Sequence, residues 1–223
     1  MRIGIALWLW FCSVAWAGQC EFGNFKATYL ERFGGKEIGI MHDSFVVRGD
    51  QYVLQQVLQV DAMLQQDQIT NETQGRVAGG VFSALSSRVL DAKTNKADLQ
   101  RFPAGVYDLP TVPLQLRLSL LRSRQGTHVM PKLMPVWWNN RYQNALIRVA
   151  DEAQSLTINQ QSVSTTKVTL TADAGDQVTY WFDVNQHDRL VKTEVMTRSG
   201  ARTDLELLTM THDDSACISE LSG

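Results

Sequence analysis

The chain has 223 residues, a formal net charge of -2 and a hydrophobic fraction of 44%. That apolar content suits an ordinary packed core and argues against disorder. The balanced charge, with no basic stripe, argues against nucleic acid as a partner.

The first residues carry Arg2, then an uncharged apolar stretch from Ile3 to Val14, then Ala15-Trp16-Ala17. A positive start, an apolar centre and a small-x-small site make a secretory signal peptide over residues 1–17. The stretch is shorter than the roughly 20 residues of a transmembrane helix, and no later segment is apolar enough to span a membrane. Cys20 follows Gln19 and Cys12 follows Phe11, whereas a lipid-modified cysteine wants a small residue before it. The expectation is a soluble exported protein with a single β-rich domain over residues 18–223.

Three cysteines are encoded, and Cys12 belongs to the signal. The remaining pair, Cys20 and Cys217, stands at the two ends of the mature chain. In an oxidising compartment an even pair reads as a disulfide. Its Cα atoms would lie about 5.5–6 Å apart, so the chain ends are expected to be neighbours. The rivals are two free thiols, or a metal site of Cys217 with His212 and Asp213; that spacing is not a zinc pattern.

In the mature chain, Phe25, Ala27 and Tyr29 alternate with Asn24, Lys26 and Thr28, a strand signal. Gly34-Gly35 between apolar runs reads as a hairpin turn, and Arg48-Gly49-Asp50 as a second. Short strands with tight turns indicate an antiparallel meander. Residues 51–66 fit both periods. Tyr52, Leu54, Leu58 and Val60 alternate with Gln56 as the exception, while Val53, Val57 and Leu64 suit a helix; the neighbouring turns favour strand. Arg76–Phe82 reads as a strand with a bulge at Gly79-Gly80.

All five prolines, Pro103, Pro110, Pro113, Pro131 and Pro135, fall in one central window. Proline is excluded from central strands, so two Pro-free, sheet-forming halves flank an irregular connection. That window holds the best helix candidate: Thr111 can cap it, Pro113 suits its first turn, and Leu114, Leu118 and Leu121 share a face. Leu114, Leu116, Leu118 and Leu120 also alternate, but leucine without β-branched partners favours helix. Strands resume over Leu146–Ala150, Leu156–Ile158, Ser164–Leu170, Val178–Val184, Leu190–Thr197 and Leu205–Met210, with turns at 173–176, 185–189 and 199–200.

No catalytic residue, metal site or cofactor is assigned. There is no G-x-S-x-G elbow, phosphate loop or H-E-x-x-H helix, and His42, His128, His187 and His212 carry no local signature. Trp137-Trp138 is the most unusual local feature. Adjacent residues of a strand face opposite sides, so one can fill the core while the other lines a groove as an aromatic wall for an apolar ligand.

Tyr29…Gly34-Gly35-Lys36…Ile38-Gly39, Phe102-Pro103-Ala104-Gly105-Val106-Tyr107-Asp108 leading into Leu114-Gln115-Leu116-Arg117, Tyr180-Trp181-Phe182-Asp183, Leu190-Val191-Lys192 and a last strand around Leu205–Leu208 occur in order. With these the chain resembles domain-of-unknown-function family 3108, a family of Gram-negative periplasmic proteins, although its members often have proline where Val191 stands. The resemblance implies a mainly β fold, a curved antiparallel sheet (half-barrel or β-clam) enclosing a central helix or loop, similar to the half-barrel of the Lol lipoprotein carriers. It supplies no catalytic residues. The expected function is non-enzymatic binding of a lipid or other apolar or envelope-derived ligand, with Trp137 or Trp138 in the wall. The alternative is a protein-interaction component of a cell-envelope assembly.

Overall fold

The computed structural model describes residues 22–62 and 65–217. The expected signal-peptide segment and Cys20 of the expected disulfide lie outside the described residues, as does the side chain of Cys217.

The described chain forms one large curved sheet around one helix. Strands β1 (Gly23–Phe33), β2 (Lys36–Arg48), β3 (Gln51–Ala62), β4 (Gln65–Ala78), β5 (Val81–Asp91) and β6 (Lys96–Arg101) make one wing. Short β7 (Tyr107–Asp108), helix α1 (Val112–Arg124) and β8 (Leu133–Trp138) follow. The chain returns through β9 (Arg141–Val149), β10 (Gln154–Ile158), β11 (Gln161–Thr171), β12 (Gln177–Asp183), β13 (Arg189–Met196) and β14 (Arg202–Cys217). The spatial order is β6-β5-β4-β3-β2-β1-β14-β13-β12-β11-β9-β8-β7, with β10 added beside β11. The first wing is therefore a plain meander, and β1 and β14 join the two wings antiparallel, with Gly23 opposite Cys217. The two Pro-free halves thus form one continuous sheet rather than two.

Residues 51–62 are strand throughout, and β3 pairs with β2 from Gln51 to Val60 and with β4 over its whole length. Gly79-Gly80 is not a bulge but the β4–β5 turn, both residues having positive φ (55° and 72°). The bulge lies between Gln74 and Gly75 instead. Two consecutive left-handed residues are what a tight hairpin demands, so the pair ends one strand and starts the next.

Curvature has identifiable causes on the inward face. A Cβ on Gly75 would stand 2.3 Å from a ring carbon of Tyr52 and 2.4 Å from the Ser83 carbonyl oxygen. A Cβ on Gly39 would stand 2.3 Å from the Gln59 carbonyl oxygen. Glycine inside a strand marks such close approaches and sharp bends. The bend carries the two free edges, β6 and β7, towards one another. Only residues 102–106 separate them in sequence. Thr73 Oγ1 on β4 donates to Asp108 Oδ2 on β7 at 2.5 Å, and the rings of Phe102 and Trp137 meet edge-on at 6.2 Å across the same region. No ladder of hydrogen bonds joins β6 to β7, so an open seam runs between them.

Helix α1 plugs the curve. Val112, Leu114, Leu116, Leu118 and Leu120 are buried, and so are Gln115, Arg117 and Ser119 between them. A helix covered on all sides has no polar face to display. Thr111 stands at its N-cap position, but its hydroxyl donates to Asp108 Oδ1 (2.6 Å) rather than capping the helix. Above the plug, Phe22, Phe25, Phe45, Tyr52 and Phe82 form an aromatic cluster with centroid spacings of 5.0–6.0 Å. Both wings hold the helix by polar bonds. Gln115 Oε1 accepts from the Phe82 amide (2.8 Å), Arg117 Nε donates to the His187 carbonyl (3.0 Å), and Arg124 pairs with Asp188 (2.7 Å).

Candidate functional site

Residues directly opposite in neighbouring strands share a face of the sheet, so the register shows how far the plug reaches. The row Phe25, Phe45, Leu54, Thr73, Ser87 crosses β1 to β5 and is buried throughout. The next inward row is Ala27, Asp43, Gln56, Asn71, Val89. It begins buried and ends with Val89 at 40% exposure. The third is Tyr29, Met41, Leu58, Ile69, Asp91. Here only Tyr29 is buried, Met41 and Leu58 are half-buried, and Ile69 is 39% exposed. Inward-facing apolar side chains thus lose their cover as the strands run past the end of α1. The helix fills one half of the curve, and the other half is a concave apolar surface with nothing of this chain on it among the described residues. A hollow of about 610 Å³ lies at the far ends of the same strands, lined from both faces of the sheet by Gly39, Val60 and Asp67 and by Ile40, Gln59 and Gln68, with Lys93 paired to Asp67 at 3.5 Å on its rim.

A polar stripe divides filled from unfilled. Gln56 Nε2 donates to both carboxylate oxygens of Asp43 (3.2 and 3.3 Å), and Ser87 Oγ donates to Asn71 Oδ1 (2.7 Å). Burial pushes the Asp43 carboxyl up to about 7, against the opposing effect of the Gln56 bond. Asp108, at the seam, is also pushed up by burial, while bonds from Thr111 and Thr73 oppose the shift. Asp108 thus has both oxygens occupied and acts as a tie between β4, β7 and the start of α1.

A smaller groove of about 160 Å³ opens at the seam. Ser87 and Val89 bring the inward face of β5 to it, Asp98 and Gln100 come from β6, and Trp137 comes from β8. The structure places the two predicted tryptophans apart. Trp138 is buried in the core, and Trp137 is half-buried in the groove wall. His42, His128, His187 and His212 are all exposed, and no cluster of metal-ligating side chains occurs among the described residues. Sequence reasoning missed Asp43, Asn71, Asp98 and Gln100. Gln56 gave the available signal, as the polar interruption in the alternation of β3.

The architecture matches a solved structure. A β-barrel-like protein of domain of unknown function DUF1849 from Brucella abortus superposes with a TM-score of 0.51 at 10% identity, covering 86% of this chain and 99% of that one. The chain has a β-barrel-like fold. A second crystal structure, of MucB, gives a TM-score of 0.40 at 7% identity, covering 92% of this chain and 58% of that one. This chain thus spans little more than half the length of MucB. No family model matches the chain, and no curated protein matches it. The likeness is therefore to a β-barrel-like protein of unknown function, and family 3108 in particular is not what the comparisons support. No helix among the described residues is long and apolar enough to cross a membrane.

Proposed function

We propose that this is an exported periplasmic protein that binds an apolar or envelope-derived ligand, without catalysis, in the unfilled half of its curved sheet. The observation that carries the reading is the lapse of burial along the inward rows, from the covered Phe45 and Leu54 to the half-buried Met41 and Leu58 and the exposed Ile69. Exposed contiguous apolar surface on a concave face is characteristic of binding sites. The resemblance to family 3108, with its Lol-like half-barrel, points the same way, as does the Arg2–Ala17 leader. In this reading Trp137, half-buried in the seam groove, would supply an aromatic wall beside that surface, while Trp138 is buried in the core behind it.

The test is a titration with N-phenyl-1-naphthylamine, an uncharged apolar fluorophore, together with native mass spectrometry of protein purified from the periplasm. The expected result is saturable fluorescence enhancement and a reproducible extra mass that organic extraction removes. Ile69→Gln, a change on an already exposed position, should weaken dye binding several-fold without lowering stability. A clean mass and no saturable signal overturn the reading. In that event the unpaired outer edge of β6, with Leu99 58% exposed, favours the alternative of a protein-interaction component docking by strand addition.

A further inference from the structure

The seam groove differs in chemistry from the apolar surface beside it. Its aromatic wall is Trp137, and its rim is a carboxylate and two amides, Asp98, Gln100 and Asn140. No lysine or arginine lines it. Its volume of about 160 Å³ falls short of the roughly 300–1,000 Å³ of drug-sized sites, so it takes a single ring rather than a chain. The edge-on contact with Phe102 engages at most one face of the Trp137 indole. Asp98 and Asn140 stand exposed at the opening.

We infer that the groove is a subsite for one uncharged sugar ring, the head of an amphiphile whose chain lies on the concave rows; the chain's placement rests on the binding proposed above. A pyranose presents a flat patch of C–H bonds on one face and hydroxyls around its rim. Apolar C–H groups pack on an aromatic face, and hydroxyls, which both donate and accept, match carboxylate and amide side chains. An anionic head is disfavoured, because a phosphate or carboxylate would face Asp98 with no cation in the lining. The route from head to chain is continuous. Val89 lines the groove and also ends the second inward row, beside Asn71, one row from Ile69 and Leu58. Ser87, bonded to Asn71, adds a hydroxyl at the junction.

The test compares n-octyl β-D-glucopyranoside with octyl tetraoxyethylene ether, both uncharged with the same chain and both below micelle formation, by calorimetry on the full mature chain. The glucoside should bind about tenfold more tightly, the worth of one or two added hydrogen bonds and a stacked ring. Asp98→Ala should lower glucoside affinity to that of the ether and leave the ether unchanged, and Trp137→Ala, which removes the stacking face, should lower glucoside affinity at least as far. Because Asp98 is exposed, its variant tests the site without risk to folding. Equal affinity for the two amphiphiles overturns the sugar subsite while upholding the apolar site. A glucoside preference that survives both substitutions overturns the groove as its location. Binding of neither overturns both readings.

Discussion

Asp43 is a carboxyl placed on the inner face of a sheet, where its neighbours in the row are Ala27 and Gln56. Burial raises it from the usual 3.8 to about 7. The folded protein therefore holds a proton there that the unfolded chain gives up above about pH 4. A raised acid contributes stability that is complete below the unfolded value and is lost as pH rises through the folded one. Asp43 should thus lower stability by on the order of 2–4 kcal/mol between mildly acidic and mildly alkaline conditions. Asn at this position keeps a partner for Gln56 and has no charge to desolvate. Urea unfolding of Asp43→Asn should show a flatter pH profile than the parent and higher stability on the alkaline side. Asp188, pushed up to about 6 by burial against the opposing charge of Arg124, adds a slope of the same sign to both proteins and cancels in the comparison. Identical slopes would mean that Asp43 is solvated rather than sealed.

The helix carries the packing of the whole interior, and its sequence shows why it could be mistaken for a strand. Leu114, Leu116, Leu118 and Leu120 alternate, yet all four are buried because residues 114–120 of α1 are covered on every side; an enclosed helix segment has no polar face to set its period. Leu118, with no exposed surface, lies where truncation opens a void inside a closed shell. Leu118→Ala should cost about 2–5 kcal/mol, read as a lower urea midpoint with an unchanged slope. An unchanged midpoint would show that the plug is loosely packed. The hairpins were legible because Gly34-Gly35 and Gly49 are local instructions, both carried out by positive φ. Gly79-Gly80 was misread as a bulge because a turn and a bulge ask for the same residue. The open half of the curve was not legible. It depends on where α1 ends against rows contributed by five strands, and no local pattern encodes that. Trp137 and Trp138 were separable in principle by strand alternation, but the direction of each required the curvature that Gly39 and Gly75 permit.

At the scale of the molecule, the chain leaves along one wing and returns along the other, so the first and last strands complete the sheet between them. Their ladder places Gly23 opposite Cys217, and Cys20 precedes Gly23 by three residues. We propose that Cys20 and Cys217 form the expected disulfide. A bond there would span nearly the entire mature chain. In the chain-entropy account such a loop stabilises by up to about 5 kcal/mol, and it would lock the β1–β14 pairing that joins the two wings. Mass analysis of the protein purified from the periplasm, where the proposed export would place it, should under non-reducing alkylation find neither thiol modified and recover a peptide pair linking residues 20 and 217. Reduction, or Cys217→Ser, should then lower the melting temperature. Two alkylated cysteines would leave the β1–β14 ladder as the only tie between the ends. Opening of the curve for ligand entry would then still begin at the seam, where β6 and β7 share no ladder, rather than along the fully paired β1–β14 ladder.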